Sequence, residues 1–205
     1  MTLTPCSNPN QGPIIGLAGR AGSGKSTCAE FLESQGFKKD AYANKMKQAV
    51  SVMFGIPMDI LLGDINVKSC LEPFWGTTYR QILQKFGTEA CRKTFGPDVW
   101  EKALWRNYDY PNHRPSQGLV IEDVRFPNEA EAILFRGGRV IEIVRPEAEA
   151  LAKKHRRGGR WLWSRPEHPS ERPLPDRLVS ASIINNGSIE TLIHKLEGYL
   201  YEQMG

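Results

Sequence analysis

The chain has 205 residues, 40% of them hydrophobic and 24% charged, a balance that suits one folded domain with a sizeable core and excludes a disordered or fibrous chain. No run approaches the roughly 20 apolar residues that a bilayer span requires, and a formal charge of +4 is too mild to demand a nucleic-acid partner. Cys6, Cys28, Cys70 and Cys91 form neither a C-x-x-C pair nor a metal-ligand spacing, so neither a disulfide framework nor a zinc centre is expected.

Residues 1–12 are polar, with Pro5, Pro9 and Gly12, and read as a flexible leader that lacks the basic start and apolar run of a secretion signal. Ile14 to Ala18 is a short apolar run ending in glycine, the pattern of a strand buried on both faces. A helix follows from Lys25 to about Ser34, with Cys28, Ala29, Phe31 and Leu32 on its apolar side and Gly36 closing it. Phe37 to Ala43 reads as a second strand. Helical periodicity runs from about Lys45 to Phe54 and from Thr78 to Phe95, separated by an irregular stretch with Pro57, Gly63, Pro73 and Gly76. Leu119 to Val124 is the next strand, Pro127 to Phe135 its following helix, and Val140 to Val144 another strand. Ser182 to Ile184 is a last, weaker strand before a final helix capped by Ser188. Strands alternating with helices imply an α/β fold with a parallel sheet covered on both faces. The segment from about 146 to 178 breaks the alternation and is rich in Arg, Pro and Trp, so it reads as an excursion from the sheet edge.

Gly19-Arg20-Ala21-Gly22-Ser23-Gly24-Lys25-Ser26 carries the sharpest chemical signal. Glycine, four residues, then Gly-Lys-Ser is the P-loop pattern, and here it stands directly after a strand and before a helix. Glycines let the backbone amides of the loop, including Ala21 and Ser23, curl around phosphate oxygens, and the helix start adds its positive dipole end. Lys25 reaches the β- and γ-phosphates of ATP, the hydroxyl of Ser26 completes a magnesium shell, and Thr27 follows in the first helical turn. A carboxylate at the end of a neighbouring strand is the remaining part such a site needs, and Asp123 is placed for it, with the adjacent Glu122 its rival. Glu122 would face the opposite side of a regular strand. Arg125 suits the transferring phosphoryl group, where a planar guanidinium neutralises spreading charge; the bland alternative is a surface pair with Glu129.

Several blocks resemble the phage-type deoxynucleoside monophosphate kinases, a branch of the P-loop nucleoside monophosphate kinases. These are Ile15–Gly19 running into the P-loop, Tyr42-Ala43-Asn44-Lys45-Met46-Lys47, Arg80–Glu89 with its Leu-Gln-x-x-Gly-Thr-Glu core, Asp123–Ala130 with Arg-Phe-Pro-Asn-Glu, His168–Glu171, and Ile184–Ser188. The resemblance implies a three-layer kinase fold with a five-stranded parallel sheet, a substrate-binding insertion at about 44–112 and a lid-like excursion at about 146–178, within a single domain at 13–205. It implies ATP as donor, Mg2+, and a deoxynucleoside monophosphate (dNMP) as acceptor, in the cytoplasm (of the host, if the chain is phage-encoded). Tyr42 with Lys47, and Arg80 with Gln84, then fall in the acceptor pocket, Arg125 also bears on the acceptor, and Asn185 lies near the donor adenine. By their own spacing Arg80, Gln84 and Arg92 share one face of the helix predicted from Thr78 to Phe95, where they could grip a monophosphate. Where the family often has Asp and Pro after Tyr42-Ala43, this chain has Asn44 and Lys45.

Lys153, Lys154, Arg156, Arg157, Arg160 and Arg165 run without an acid among them, beside Trp161 and Trp163. As a lid, this segment would bring Arg157 and Arg160 onto the ATP phosphates and expel water. A homodimer interface anchored by the tryptophans is the second reading, and a nucleic-acid patch the least supported. A dephospho-coenzyme A kinase also opens with a similar P-loop; its hydroxyl acceptor would need a base, for which Asp40 is available.

Overall fold

A computed structural model describes residues 12–109, 115, 117–147 and 173–204; the leader before them and most of the basic excursion, with Arg157 and Arg160, lie outside the described residues. The chain divides into two compact units, Met1–Asp40 with Pro111–Gly205, and Ala41–Tyr110.

The first unit is built on a five-stranded sheet of β1 (Ile14–Ala18), β2 (Lys38–Asp40), β5 (Leu119–Val124), β6 (Arg139–Val144) and β7 (Ala181–Ile184). Their spatial order is β2-β5-β1-β6-β7, all parallel. Ile15 and Leu17 point to the face covered by α1 (Lys25–Ser34) and the C-terminal helix Ile189–Met204, where they meet Cys28, Leu32, Leu192 and Leu196 in one core. Gly16 points the other way, towards Ile133 of the helix Pro127–Phe135, and a side chain there would strike Ile133 and Val124. The sheet is therefore the middle of three layers, as the continuous apolar runs of its central strands require. Cys28 is wholly buried, and burial pushes its thiol up to about 11, so it packs rather than reacts. The final helix starts as expected: Ser188 accepts the Thr191 amide at 3.3 Å.

The second unit contains α2 (Tyr42–Phe54), α3 (Met58–Leu62), α4 (Ile65–Ser69), a two-residue hairpin of β3 (Leu71–Glu72) and β4 (Thr77–Thr78), α5 (Tyr79–Gln84), α6 (Lys93–Phe95) and α7 (Val99–Tyr108). Its core joins Val50, Ile56, Leu61, Ile82 and Leu83. Three expectations are corrected here. The second strand is only Lys38–Asp40, because Tyr42 opens α2, with Tyr42, Met46 and Val50 forming an i, i+4, i+8 apolar stripe that begins before Lys45. The stretch with Pro57 and Gly63 is not irregular throughout but holds two short helices. The helix expected from Thr78 to Phe95 is not regular: between α5 and α6, Lys85–Arg92 forms a π-helical turn. With α8 (Pro127–Phe135), a 3-10 turn at Asp176–Leu178 and α9 (Ile189–Met204) in the first unit, the helices are complete among the described residues, where none is long and apolar enough to cross a membrane.

Candidate active site

The P-loop lies at the carboxyl end of β1, on either side of which the chain places its other strands, the position where open α/β sheets bind ligands. Gly19, Gly22 and Gly24 take φ of 126°, 75° and 106°, a left-handed backbone that only glycine adopts without strain. Gly24 is the N-cap of α1 and offers no side chain, so the first amides of that helix have no side-chain cap and are left for an anion. The Ser23 hydroxyl is buried at 1% exposure and has no hydrogen-bond partner among the described residues. A buried hydroxyl left unpaired costs about 1–3 kcal/mol, and a phosphate oxygen in the loop would satisfy it.

Lys25 is half-buried and donates to the carbonyls of Gly19 and Arg20, each at 2.7 Å. Its pKa falls from 10.5 to about 8, chiefly through burial and then through the nearby Arg125 cation, opposed by Asp123 and Glu122. Those influences bring together the groups that sequence reasoning collected from distant positions. The choice between the two carboxylates is softened by a register break. Gly16 pairs with Ile121 but Ala18 with Val124, so β5 carries one residue more than β1 across Glu122–Asp123 and the strict alternation of faces lapses there. Asp123 acts on Lys25 more strongly than Glu122 does, and Glu122 is also felt by Lys39 on β2.

Arg125 is exposed. The Glu129 carboxylate, which the sequence offered as its partner, instead accepts the backbone amides of Arg125 and Phe126 at 2.9 and 3.0 Å. Buried at 2% exposure, Glu129 thus closes the start of α8 and fixes the turn that presents Arg125. The Arg-Phe-Pro-Asn-Glu run is a local device: an arginine held at a helix entrance by the glutamate four residues on.

Beside the loop is a cavity of about 500 Å3, lined by Gly22, Gly24, Lys25, Ser26, Thr27, Arg145, Asn185, Gly187, Ser188, Ile189 and Leu192. Among the described residues Lys25 and Arg145 bring two cations to its lining and no acid joins them, while Ile189 and Leu192 bring apolar surface. That combination suits a polyanion with a flat apolar end. Asn185 donates its amide to the Ser23 carbonyl at 2.8 Å, tying the turn after β7 to the P-loop. Asn186 accepts from Lys195 instead, at 3.0 Å. Arg145 is the residue that sequence reasoning missed. Its signal is positional: it is the first residue beyond an apolar strand, as Gly19 is beyond β1 and Arg125 beyond β5. It pairs with Glu147 at 3.0 Å.

The oxygen donors fit magnesium: the Ser26 hydroxyl in the first turn of α1 and the carboxylate of Asp123 are hard ligands of the kind that ion takes beside phosphates and water.

Of the residues expected to hold an acceptor, all but Arg125 belong to the second unit. Tyr42 is buried in the first turn of α2, and Lys47 is half-buried one turn further on. Thr78 caps α5 with a reciprocal box, accepting the Gln81 amide at 3.2 Å while the Gln81 side chain accepts the Thr78 amide at 3.2 Å. This cap places Arg80, exposed, in the first turn of α5 and Gln84 in its last. Arg92 donates to the Pro97 carbonyl, beyond the π turn, so the shared face inferred from regular helical spacing does not extend to it. Trp75 donates its indole to the Phe54 carbonyl at 3.1 Å and packs on the Phe54 ring.

No family model matches the chain. It is 30% identical over 188 residues to a protein of Acanthamoeba polyphaga mimivirus provisionally named a deoxynucleotide monophosphate kinase, covering 86% of this chain and 90% of that one. It is 26% identical over 135 residues to the deoxynucleotide monophosphate kinase of Enterobacteria phage T4, covering 66% of this chain and 49% of the phage protein. A crystal structure of a Thermus thermophilus protein shares its fold at a TM-score of 0.50 and 19% identity, covering 95% of this chain and all of that one. By its long match to the mimivirus protein, with the P-loop, Asp123 and Arg125 drawn together around Lys25, the chain belongs to the deoxynucleotide monophosphate kinase family.

Proposed function

We propose that this kinase transfers the γ-phosphoryl group of ATP to the 5′-phosphate of a deoxynucleoside monophosphate. The bond from the β,γ-bridging oxygen to the γ-phosphorus breaks, a new bond forms from an acceptor phosphate oxygen, and ADP and the deoxynucleoside diphosphate leave. The acceptor oxygen is already anionic at neutral pH, so no general base is needed and catalysis is positioning plus charge stabilisation. The observation that carries this reading is the cluster of Asp123, Glu122 and Arg125 acting on the Lys25 ammonium beside an uncapped helix start.

In this scheme the loop amides from Gly19 to Ser26, with Lys25, hold the β- and γ-phosphates, and Arg145, Thr27 and Asn185 line the place of the nucleoside end. Ser26 and Asp123 would hold magnesium, which when bound offsets the charge of the phosphates. Arg125 bears on the migrating group, where charge spreads over three oxygens. Ala41–Tyr110 is the acceptor-binding unit, with Arg80 anchoring the monophosphate and Lys47 and Gln84 as further polar contacts; Tyr42, being buried, supports the start of α2 more than it offers a stacking face. Arg92 is the weakest member of this set, since its guanidinium already serves the Pro97 carbonyl. Arg157 and Arg160 remain candidates for the donor phosphates through the basic excursion.

ADP release measured by a coupled assay against separate dNMPs, dephospho-coenzyme A and single-stranded DNA tests the assignment. Turnover with at least one dNMP, and none with the other two, is expected. Turnover only with dephospho-coenzyme A would replace the phosphate acceptor by a hydroxyl, and stimulation of ATP hydrolysis by DNA alone would remove the kinase altogether.

A further inference from the structure

The run Leu83-Gln84-Lys85-Phe86-Gly87-Thr88-Glu89 has a structural content that the proposed reaction does not explain. It straddles the point where α5 gives way to the π-helical turn Lys85–Arg92. Such turns are rare and frequently stand at functional sites. Each residue they insert rotates the next stretch of helix by about 100° relative to an uninterrupted α-helix. This one is held from two sides. Gly87 is buried, and a Cβ built on it would overlap the sulfur of Met46 on α2. From α7, the buried Trp100 indole donates to the Gly87 carbonyl at 3.1 Å. The same indole ring lies against Phe86 at 6.2 Å, and Phe86 in turn against Phe54 at 6.1 Å.

The position of this contact matters more than its packing. Met46 is next to Lys47 and one turn from Tyr42, whereas Gln84 immediately precedes the turn and Arg80 lies one helical turn earlier. The helix that carries Lys47 and the turn that follows Gln84 therefore meet where Gly87 has no side chain. A methyl group at position 87 must displace the Met46 thioether from its seat, and where the packed Met46 side chain does not give way the displacement passes to α2 and the turn, shifting Lys47 relative to Gln84 and Arg80.

We propose that the Lys85–Arg92 turn, seated on Met46 and pinned by Trp100, sets the geometry of the acceptor pocket, with Gly87 and Trp100 as positioning residues. This rests on the reading of Ala41–Tyr110 as the acceptor-binding unit. The residues do not touch substrate; they act through Lys47, Arg80 and Gln84.

Steady-state kinetics in both substrates test it on three variants, with thermal melting beside each. Gly87→Ala should raise the KM for the dNMP about tenfold, worth roughly 1.4 kcal/mol, while the KM for ATP stays near the wild-type value. Adding Met46→Ala to that variant reopens the space and should restore most of the acceptor affinity. Trp100→Phe keeps the ring and removes the donor, and should raise only the acceptor KM, by less. An unmoved acceptor KM in Gly87→Ala, a parallel rise in both KM values, or no recovery in the double variant overturns the proposal. Should Gly87→Ala fail to fold, Trp100→Phe decides alone, by the same split. A wild-type enzyme inert towards every dNMP would instead remove the functional reading and this inference with it, whereas an active wild type with unmoved acceptor kinetics removes the inference only.

Discussion

On the proposed reading, the two units would hold a phosphate in different ways. In the P-loop unit the binding groups are largely backbone: amides of a glycine loop and of the first turn of α1, carried by strands whose side chains Ile15, Leu17, Val120 and Ile141 are buried within one core. In Ala41–Tyr110 the candidate groups are long side chains, Lys47, Arg80 and Gln84, on helices of 13 residues or fewer. This unit also leaves Val52, Met53, Phe74 and Phe95 more than half exposed. Backbone on a buried sheet is rigid and indifferent to which base is attached, which suits a common donor. Side chains on a smaller core are the easier part to change when the acceptor changes, and local opening costs less there.

Substitutions in the two units should accordingly separate in what they affect. The largest effect is expected at Lys25, since Lys25→Ala removes the ammonium proposed to hold the β- and γ-phosphates. Turnover should fall by roughly 100- to 1,000-fold or more, as loss of a key charge-stabilising donor does. The melting temperature should not fall, because a half-buried cation has gone. Near-normal turnover would break the site assignment.

A smaller but more telling contrast lies between Arg145→Ala and Arg80→Ala. Each should raise one KM by about tenfold, worth roughly 1.4 kcal/mol, the first for ATP and the second for the dNMP. Initial rates over a grid of both substrates give the two values, and a shared shift in both would mean that the units are not functionally distinct.

The smallest effect is a pH dependence. With Lys25 near 8 in the free enzyme, its charge is present below that value and lost as pH rises through it. The kcat/KM for ATP should thus fall about fourfold between pH 7 and 8.5, a titration that reports the free enzyme. Stability should move oppositely. Between 8 and 10.5 the unfolded chain holds the proton that the folded one has released, so folding is favoured as pH climbs through that window. A flat kcat/KM profile to pH 9 would mean that the loop carbonyls of Gly19 and Arg20 hold the ammonium protonated.

The same division explains what the sequence makes legible. Central strands of a parallel sheet are short apolar runs, so Ile14–Ala18 and Leu119–Val124 can be read directly, and a P-loop between strand and helix needs no tertiary information. The π turn cannot be read this way: its cause is Met46 over Gly87 and an indole donor from 13 residues further on, contacts that local periodicity does not contain. The break of register at Glu122–Asp123 is equally a property of pairing with β1. Arg145 carries no motif, and only the end of β6 places it against the cavity. Helix α7 is a different case. Its buried Trp100, Leu104, Trp105 and Tyr108 recur at helical spacing and are open to periodicity alone.

The most direct test tracks the phosphoryl group itself. ATP labelled at the γ-phosphate is incubated with the enzyme, magnesium and a dNMP, and the products are separated. Label is expected in the deoxynucleoside diphosphate, one equivalent for each ADP formed, and at a rate roughly 100-fold or more lower with Lys25→Ala. Label appearing as free phosphate, or in no nucleotide other than ATP, would contradict the proposed transfer.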